Sequence, residues 1–80
     1  MNRSKRVIIY FELLGLNVKK IREEKGMSLN ELALKSGIRK EYLKKIEKGK
    51  AYGAGIEKHL VPIVRALDTT LYNLFDFNKS

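Results

Sequence analysis

The stretch SLNELALKSGIRKEYLKKIEK, residues 28–48, contains the signals that decide the fold. Its first four residues, Ser28 to Glu31, have the pattern of a capping box. In such a box the serine hydroxyl accepts from the amide of the glutamate, and the glutamate side chain bonds back to the amide of the serine. We therefore expect a helix to begin at Ser28. Gly37 is expected to end it, because glycine readily adopts the left-handed conformation of a helix C-cap.

A second helical pattern, residues 40–48, follows this glycine after only Ile38 and Arg39. Two helices joined by so short a turn cannot lie parallel, so the spacing predicts a helix-turn-helix unit. The apolar positions of the second helix fall together on one face; they are Tyr42, Leu43 and Ile46. The opposite face carries four lysines and one glutamate: Lys40, Lys44, Lys45, Lys48 and Glu41. This bias favours a phosphate-lined groove over plain solvent.

Three more helices are expected around this unit. A stripe from Leu14 to Arg22, ended by Gly26, predicts a first helix over 14–25. Helical periodicity returns over 56–67, but Pro62 lies inside it and lacks a backbone donor. Either this fourth helix is kinked at the proline, or it starts late, near His59. Thr70 can cap a short last helix that runs from Leu71 to about Asp76.

The segment before the first helix is ambiguous. Residues 7–11 read Val-Ile-Ile-Tyr-Phe, which favours a strand, although the same residues could equally extend the first helix. We expect the segment to pack on the C-terminal helix or on a second subunit. The predicted organisation is thus an N-terminal extension over 1–13 and one domain over 14–76.

Charge is concentrated in two short segments. The chain of 80 residues has a formal net charge of +8. Residues 1–6 contain Arg3, Lys5 and Arg6 without an acid, and residues 35–50 contain seven basic residues against Glu41 and Glu47. Such patches attract polyanions, because neutralised phosphates release their counterions. Charge alone leaves a membrane surface or an acidic protein as alternatives to nucleic acid.

Several other classes of protein are disfavoured. The chain has no cysteine and one histidine, so we expect no metal site, no cofactor and no catalytic set. Gly53-Ala54-Gly55 lacks the preceding strand and the lysine of a phosphate-binding loop. The apolar run after Arg6 stops at Glu12, too soon for a signal peptide or a membrane span. A cytoplasmic, non-enzymatic protein is therefore expected.

Together, these residues resemble the Cro and lambda-repressor type of helix-turn-helix, also called the xenobiotic-response-element family. The resemblance runs from Leu14 to Phe75. It rests on the order and spacing of several elements: Leu14-Gly15, residues 21–28, Glu31-Leu32-Ala33, Ser36-Gly37-Ile38, Tyr42-Leu43, residues 46–49, Ala66-Leu67, Leu71 and Leu74-Phe75.

The resemblance implies an all-α, five-helix DNA-binding bundle whose third helix lies in the major groove. The residues expected to face bases are Lys40, Glu41, Tyr42, Lys44 and Lys45. Those expected to hold phosphates are Ser28, Lys35, Arg39, Lys48 and Lys50. Two alternatives stay open: Glu41 could instead pair with Lys45 along the helix, and Tyr42 could belong partly to the core. The resemblance also implies an Arg22–Glu47 ion pair between helices one and three.

The implied function is a transcriptional regulator, a repressor or controller, that binds double-stranded DNA as a homodimer at the nucleoid. No small-molecule effector is expected within the chain. The alternative is a protein-interaction module, such as an antitoxin or adaptor with the same fold. The chain departs from the family at Leu29, where glutamine is usual, and at Arg39, where a small polar cap is usual. We therefore expect binding to depend strongly on charge.

Overall fold

The computed structural model describes residues 4–78, which form five α-helices and one π-helical turn. Their bounds are α1, Lys5–Glu24; α2, Leu29–Ser36; α3, Lys40–Glu47; the π turn, Ile56–Leu60; α4, Val61–Leu67; and α5, Leu71–Leu74. Each helix contributes apolar side chains to one core, formed by Leu14, Val18, Leu32, Leu43, Ile46, Ala51, Leu60, Ile63, Val64, Leu67 and Leu74. The predicted all-α, five-helix bundle is confirmed. Arg3 of the predicted basic N-terminus lies outside the described residues.

The helix-turn-helix unit forms by the local signals that predicted it. The Ser28 hydroxyl accepts from the amide of Glu31 at 3.1 Å, and the Glu31 carboxylate accepts from the amide of Ser28 at 3.2 Å. Gly37 follows α2 with a φ of 73°, and its amide bonds to the carbonyl of Ala33. Arg39 precedes α3 without a side-chain cap bond. The chain therefore turns sharply between α2 and α3 within three residues, 37–39.

The first helix is longer than expected. It begins at Lys5, after a cap at Ser4, so the boundary predicted between residues 13 and 14 falls inside α1. The strand alternative for residues 7–11 is wrong. Tyr10 stacks on Phe75 with ring centroids 6.1 Å apart, and Phe11 meets Tyr52 edge to face at 5.2 Å. These aromatic contacts attach the N-terminal half of α1 to distant parts of the chain, which stabilises the helical conformation.

Pro62 produces neither a mid-helix kink nor a start near His59. The helical path begins at Ile56 as a π turn, in which the amide of Val61 bonds to the carbonyl of Ile56. Pro62 then occupies the second position of α4, where a missing backbone donor costs little. The wider turn thus ends immediately before the proline. The last helix is also shorter than predicted, since α5 ends at Leu74.

Candidate nucleic-acid interface

The third helix separates its residues into two faces. Leu43 and Ile46 are buried in the core, and Tyr42 is half-buried at its edge. The remaining positions of this helix and its C-cap are exposed, except for Glu47; they are Lys40, Glu41, Lys44, Lys45 and Lys48. Four of the five residues predicted to face bases are therefore exposed on one helix. Among residues 4–78, the structure shows no ion pair between Glu41 and Lys45, so the Glu41 carboxylate remains free to accept.

An ion pair anchors α3 from behind. The Arg22 guanidinium donates to both carboxylate oxygens of Glu47, at 2.7 and 3.0 Å, as the resemblance implied. It also donates to the backbone carbonyl of Met27 at 2.8 Å. The two charged side chains retain only 11% and 6% of their exposure. Hydrogen bonding to Glu47 raises the pKa of Arg22, so its guanidinium group stays charged. One arginine thereby fixes α1, the chain entering α2 and α3 relative to one another.

Two glycines allow α1 and α3 to approach closely. A Cβ added at Gly15 would lie against the carbonyl oxygen of Ile46 and 2.9 Å from that of Glu47. A Cβ added at Gly49 would lie 2.8 Å from the Cα of Glu12, and the φ of Gly49 is 75°. The end of α3 therefore rests directly on the backbone of α1. Leu14-Gly15 contributed to the resemblance, but no pattern in the sequence indicated this contact.

The predicted phosphate ligands lie on both sides of α3 in the chain, and all are exposed: Ser28, Lys35, Arg39, Lys48 and Lys50. The Ser28 oxygen accepts from the amide of Glu31, so its hydroxyl hydrogen remains available to donate. Exposed lysine and arginine side chains are the groups that neutralise phosphates.

A groove of about 220 Å³ lies between α1, α2 and α3 beside the basic face. Leu29 lines it, where the family usually has glutamine, together with Lys19, Lys44 and Lys48. Lys19 is exposed and lies on α1, so it was missed by reasoning restricted to residues 28–50. Only the packing of α1 against α3 brings its ammonium group near the lysines of α3. The basic surface is thus wider than α3 itself.

A second groove, of about 400 Å³, lies at the N-terminal end of α3. Its lining includes Arg39, Tyr42, Lys58 and His59. The ring of Tyr42 lies 4.8 Å from that of His59. The Nδ1 atom of His59 accepts from the amide of Gly55 at 3.0 Å. Burial, followed by the charge of Lys58, lowers the pKa of His59, which favours the neutral ring. His59 therefore packs against Tyr42, a contact that the sequence did not indicate.

No group of histidine, cysteine and carboxylate side chains within residues 4–78 could hold a metal ion. None of the helices described is both long enough and apolar enough to span a membrane.

The chain is similar to known regulators. The helix-turn-helix family pattern matches residues 18–52. The HTH-type transcriptional regulator SinR of Bacillus subtilis (strain 168) is 38% identical over 64 residues, which are 80% of this chain and 57% of that protein. SlrR of the same organism, also an HTH-type transcriptional regulator, is 36% identical over 64 residues, or 41% of its length. SinR of Bacillus licheniformis is 36% identical over 64 residues, or 57% of its length. The chain thus spans about half the length of these relatives.

Proposed function

We propose that the chain is a transcriptional regulator that binds double-stranded DNA in a sequence-specific manner, through a helix-turn-helix domain of the Cro and lambda-repressor type. The observation that carries the proposal is the exposed, lysine-rich face of α3, held on a rigid support by the Arg22–Glu47 pair. The major groove of B-DNA is wide enough to admit an α-helix. An exposed basic face on such a helix is suited to phosphates and to base acceptors.

Within the groove, each residue of α3 has a distinct proposed role. Lys40, Lys44 and Lys45 donate to guanine O6 or N7, and Glu41 accepts from cytosine N4. Tyr42, supported by His59, contacts a base with its exposed edge. The phosphate ligands are those named above, Ser28, Lys35, Arg39, Lys48 and Lys50, with Lys19 added by the structure. Charge therefore supplies most of the affinity, and the few base contacts supply the specificity.

The proposed assembly is a homodimer on a two-fold symmetric site. Its half-sites lie one helical turn apart, about 34 Å. The protein acts as a repressor by occupying the groove, works at the nucleoid in the cytoplasm, and needs no cofactor or small-molecule effector within this chain. The supporting fact is that its relatives are transcriptional regulators. Catalysis is no part of the proposal.

The experiment begins with selection of bound duplexes from a random DNA pool. Affinity for the selected duplex is then measured by fluorescence anisotropy between 50 and 200 mM salt. Five cationic phosphate ligands in each of two subunits predict a loss of roughly 10⁵-fold in affinity across that range. A shallow salt dependence would contradict the proposal and favour a protein partner instead.

Charge reversal gives the matched variants. Lys44→Glu replaces an exposed ammonium on α3 and is expected to abolish binding while the helical circular dichroism signal and melting temperature stay unchanged. Lys25→Glu is the control and makes the same change in charge at another place. The Lys25 ammonium group donates to the backbone carbonyl of Asp68, near the turn before α5. This variant should leave affinity within a few-fold of wild type. Equal losses in both variants would show that net charge, not α3, controls binding.

A further inference from the structure

The side of α1 that faces away from the core carries a second apolar stripe. Ile9, Leu13 and Leu16 recur at i, i+4 and i+7, so they lie on one line along the helix. Ile9 is 50% exposed and Leu16 is 58% exposed, while Leu13 is half-buried. The residues that enter the core, such as Leu14 and Val18, lie on the opposite side of the same helix. α1 is thus apolar on two sides, of which the chain covers one.

Charged pairs border this outer stripe at both ends of α1. Lys5 and Arg6 stand at the first turn, and Glu23 and Glu24 at the last; all four are exposed. Lys5 and Glu23 are 18 positions apart, as are Arg6 and Glu24, and 18 residues make about five complete turns. Each base therefore lies on the same flank of the stripe as its acid. Lys20 follows Leu16 at i+4 on the same line and is exposed. The surface is therefore apolar along its middle, with two bases at one end and two acids beside Lys20 at the other.

We infer that a second copy of the chain packs antiparallel on this face of α1 around a two-fold axis. With Leu13 of one copy opposite Leu16 of the other, Lys5 and Arg6 approach Glu23 and Glu24 of the second copy. An antiparallel two-fold axis brings equivalent flanks together, so Lys5 meets Glu23 and Arg6 meets Glu24. A parallel arrangement would instead place like charges side by side. This inference rests on the proposed homodimer and identifies its interface.

The charge pattern identifies the occupant. The complement that this face requires, an apolar helix with acids at one end and bases at the other, is α1 itself in the reversed direction. An anionic lipid surface would be repelled by Glu23 and Glu24. The face also leaves the exposed side of α3 open. Of the proposed DNA ligands only Lys19 lies on α1, on the flank of the stripe nearer to α3. Gly15 and Arg22, which contact α3, lie about a third of a turn or more around α1 from the stripe.

The first test is the oligomeric state of the full chain by sedimentation equilibrium. Wild type is expected to dimerise, and Leu16→Glu is expected to weaken dimerisation at least tenfold. Leu34→Glu is the matched control, because Leu34 is 85% exposed on α2 and lies outside the stripe. A monomeric wild type at millimolar concentration would overturn the inference. A dimer insensitive to Leu16→Glu would also overturn it.

The second test exchanges charges between two chains. One chain carries Lys5→Glu with Arg6→Glu, and the other carries Glu23→Lys with Glu24→Lys. Each variant alone places like charges together at both ends of the interface, so each should dimerise at least tenfold more weakly than wild type. A mixture restores opposite charges at both ends, and a heterodimer should form with near wild-type affinity. A mixture that associates no better than its components would refute the antiparallel register.

DNA binding is measured separately on a half-site duplex. All the exchanged residues are exposed, so these variants should stay folded even if Leu16→Glu does not. A dimer that fails to bind any selected duplex would overturn the proposed function and leave this interface intact. Variants that bind the half-site as monomers would support both proposals independently.

Discussion

Gly15→Ala tests whether the position of α3 depends on its close contact with α1. The added methyl group would lie against the carbonyl oxygen of Ile46 and 2.9 Å from that of Glu47. These are backbone atoms of α3, so no side-chain rotation can relieve the overlap. Arg22 holds Glu47 from the same side of α1, which prevents α3 from simply sliding along it.

Two opposing terms determine the size of the effect. Replacing glycine by alanine inside a helix stabilises the helix by about 0.5–1 kcal/mol. Overpacking a close interface usually costs about 1–3 kcal/mol, and a clash with backbone belongs at the upper end. The net loss should therefore be about 2 kcal/mol, which for a domain of this size lowers the melting temperature by roughly 10 °C. Affinity for DNA should fall further, because α3 is displaced from its support.

The free energy of unfolding is measured by urea titration at one fixed protein concentration, because dimerisation would make stability depend on concentration. Gly55→Ala is the control. Gly55 has a φ of −106°, which alanine tolerates, and no atom lies within 4 Å of its added Cβ. It should remain within about 0.5 kcal/mol of wild type. If Gly15→Ala is as stable as wild type, the close contact does not position α3.

Three further predictions address the pair, the cap and the histidine. Arg22→Met and Glu47→Gln should each lower the free energy of unfolding by about 3 kcal/mol, because each leaves a largely buried charge without its partner. A double-mutant cycle should give a coupling energy above ~1 kcal/mol, and additive losses would contradict this prediction. Ser28→Ala should cost about 1 kcal/mol of stability, whereas Ser28→Asp should keep the cap and weaken DNA binding by repelling a phosphate; equal affinity of Ser28→Asp and wild type would exclude Ser28 as a phosphate ligand. Burial lowers the pKa of His59 from 6.5, so the folded state binds fewer protons than the unfolded state. Wild type should therefore lose stability as pH falls from about 6.5 toward the lower folded pKa. Urea titrations at pH 7.5 and 5.5 should show a smaller loss of stability for His59→Gln than for wild type, and equal losses would refute this.

The parts of the fold that sequence predicted correctly depend on local chemistry. The capping box at Ser28, the left-handed turn at Gly37 and the cap at Thr70 each involve atoms within four residues of one another. Such signals need no knowledge of tertiary contacts. The two faces of α3 were equally accessible, because helical spacing alone separates its apolar positions from its lysines.

The sequence left the conformation open, or predicted it wrongly, where distant contacts or unusual backbone decide the structure. Residues 7–11 favour a strand locally, but Tyr10 meets Phe75 and Phe77, which are more than 60 positions away. Pro62 was expected to kink or delay a helix, because an α-helix was the only path considered. A π turn before the proline satisfies the backbone in another way.

The candidate site shows the same division. Exposure of the lysines on α3 follows from helical spacing, whereas Lys19 joins them only because α1 crosses α3 at Gly15. His59 reaches Tyr42 through the fold of the segment after α3, whose π turn no local pattern indicated. The angle between packed helices thus determines which additional side chains enter the site.

Both proposed interactions depend on α1. It has 20 residues, so it is a rod of about 30 Å. One side fixes α3 through Gly15 and Arg22, and the other side carries the stripe proposed to bind a second copy. In the proposed dimer, the antiparallel register of two such rods sets the separation of the two copies of α3. A change at Leu16 that weakens the dimer should therefore weaken the preference for one half-site spacing, while a change at Lys44 should lower affinity at every spacing.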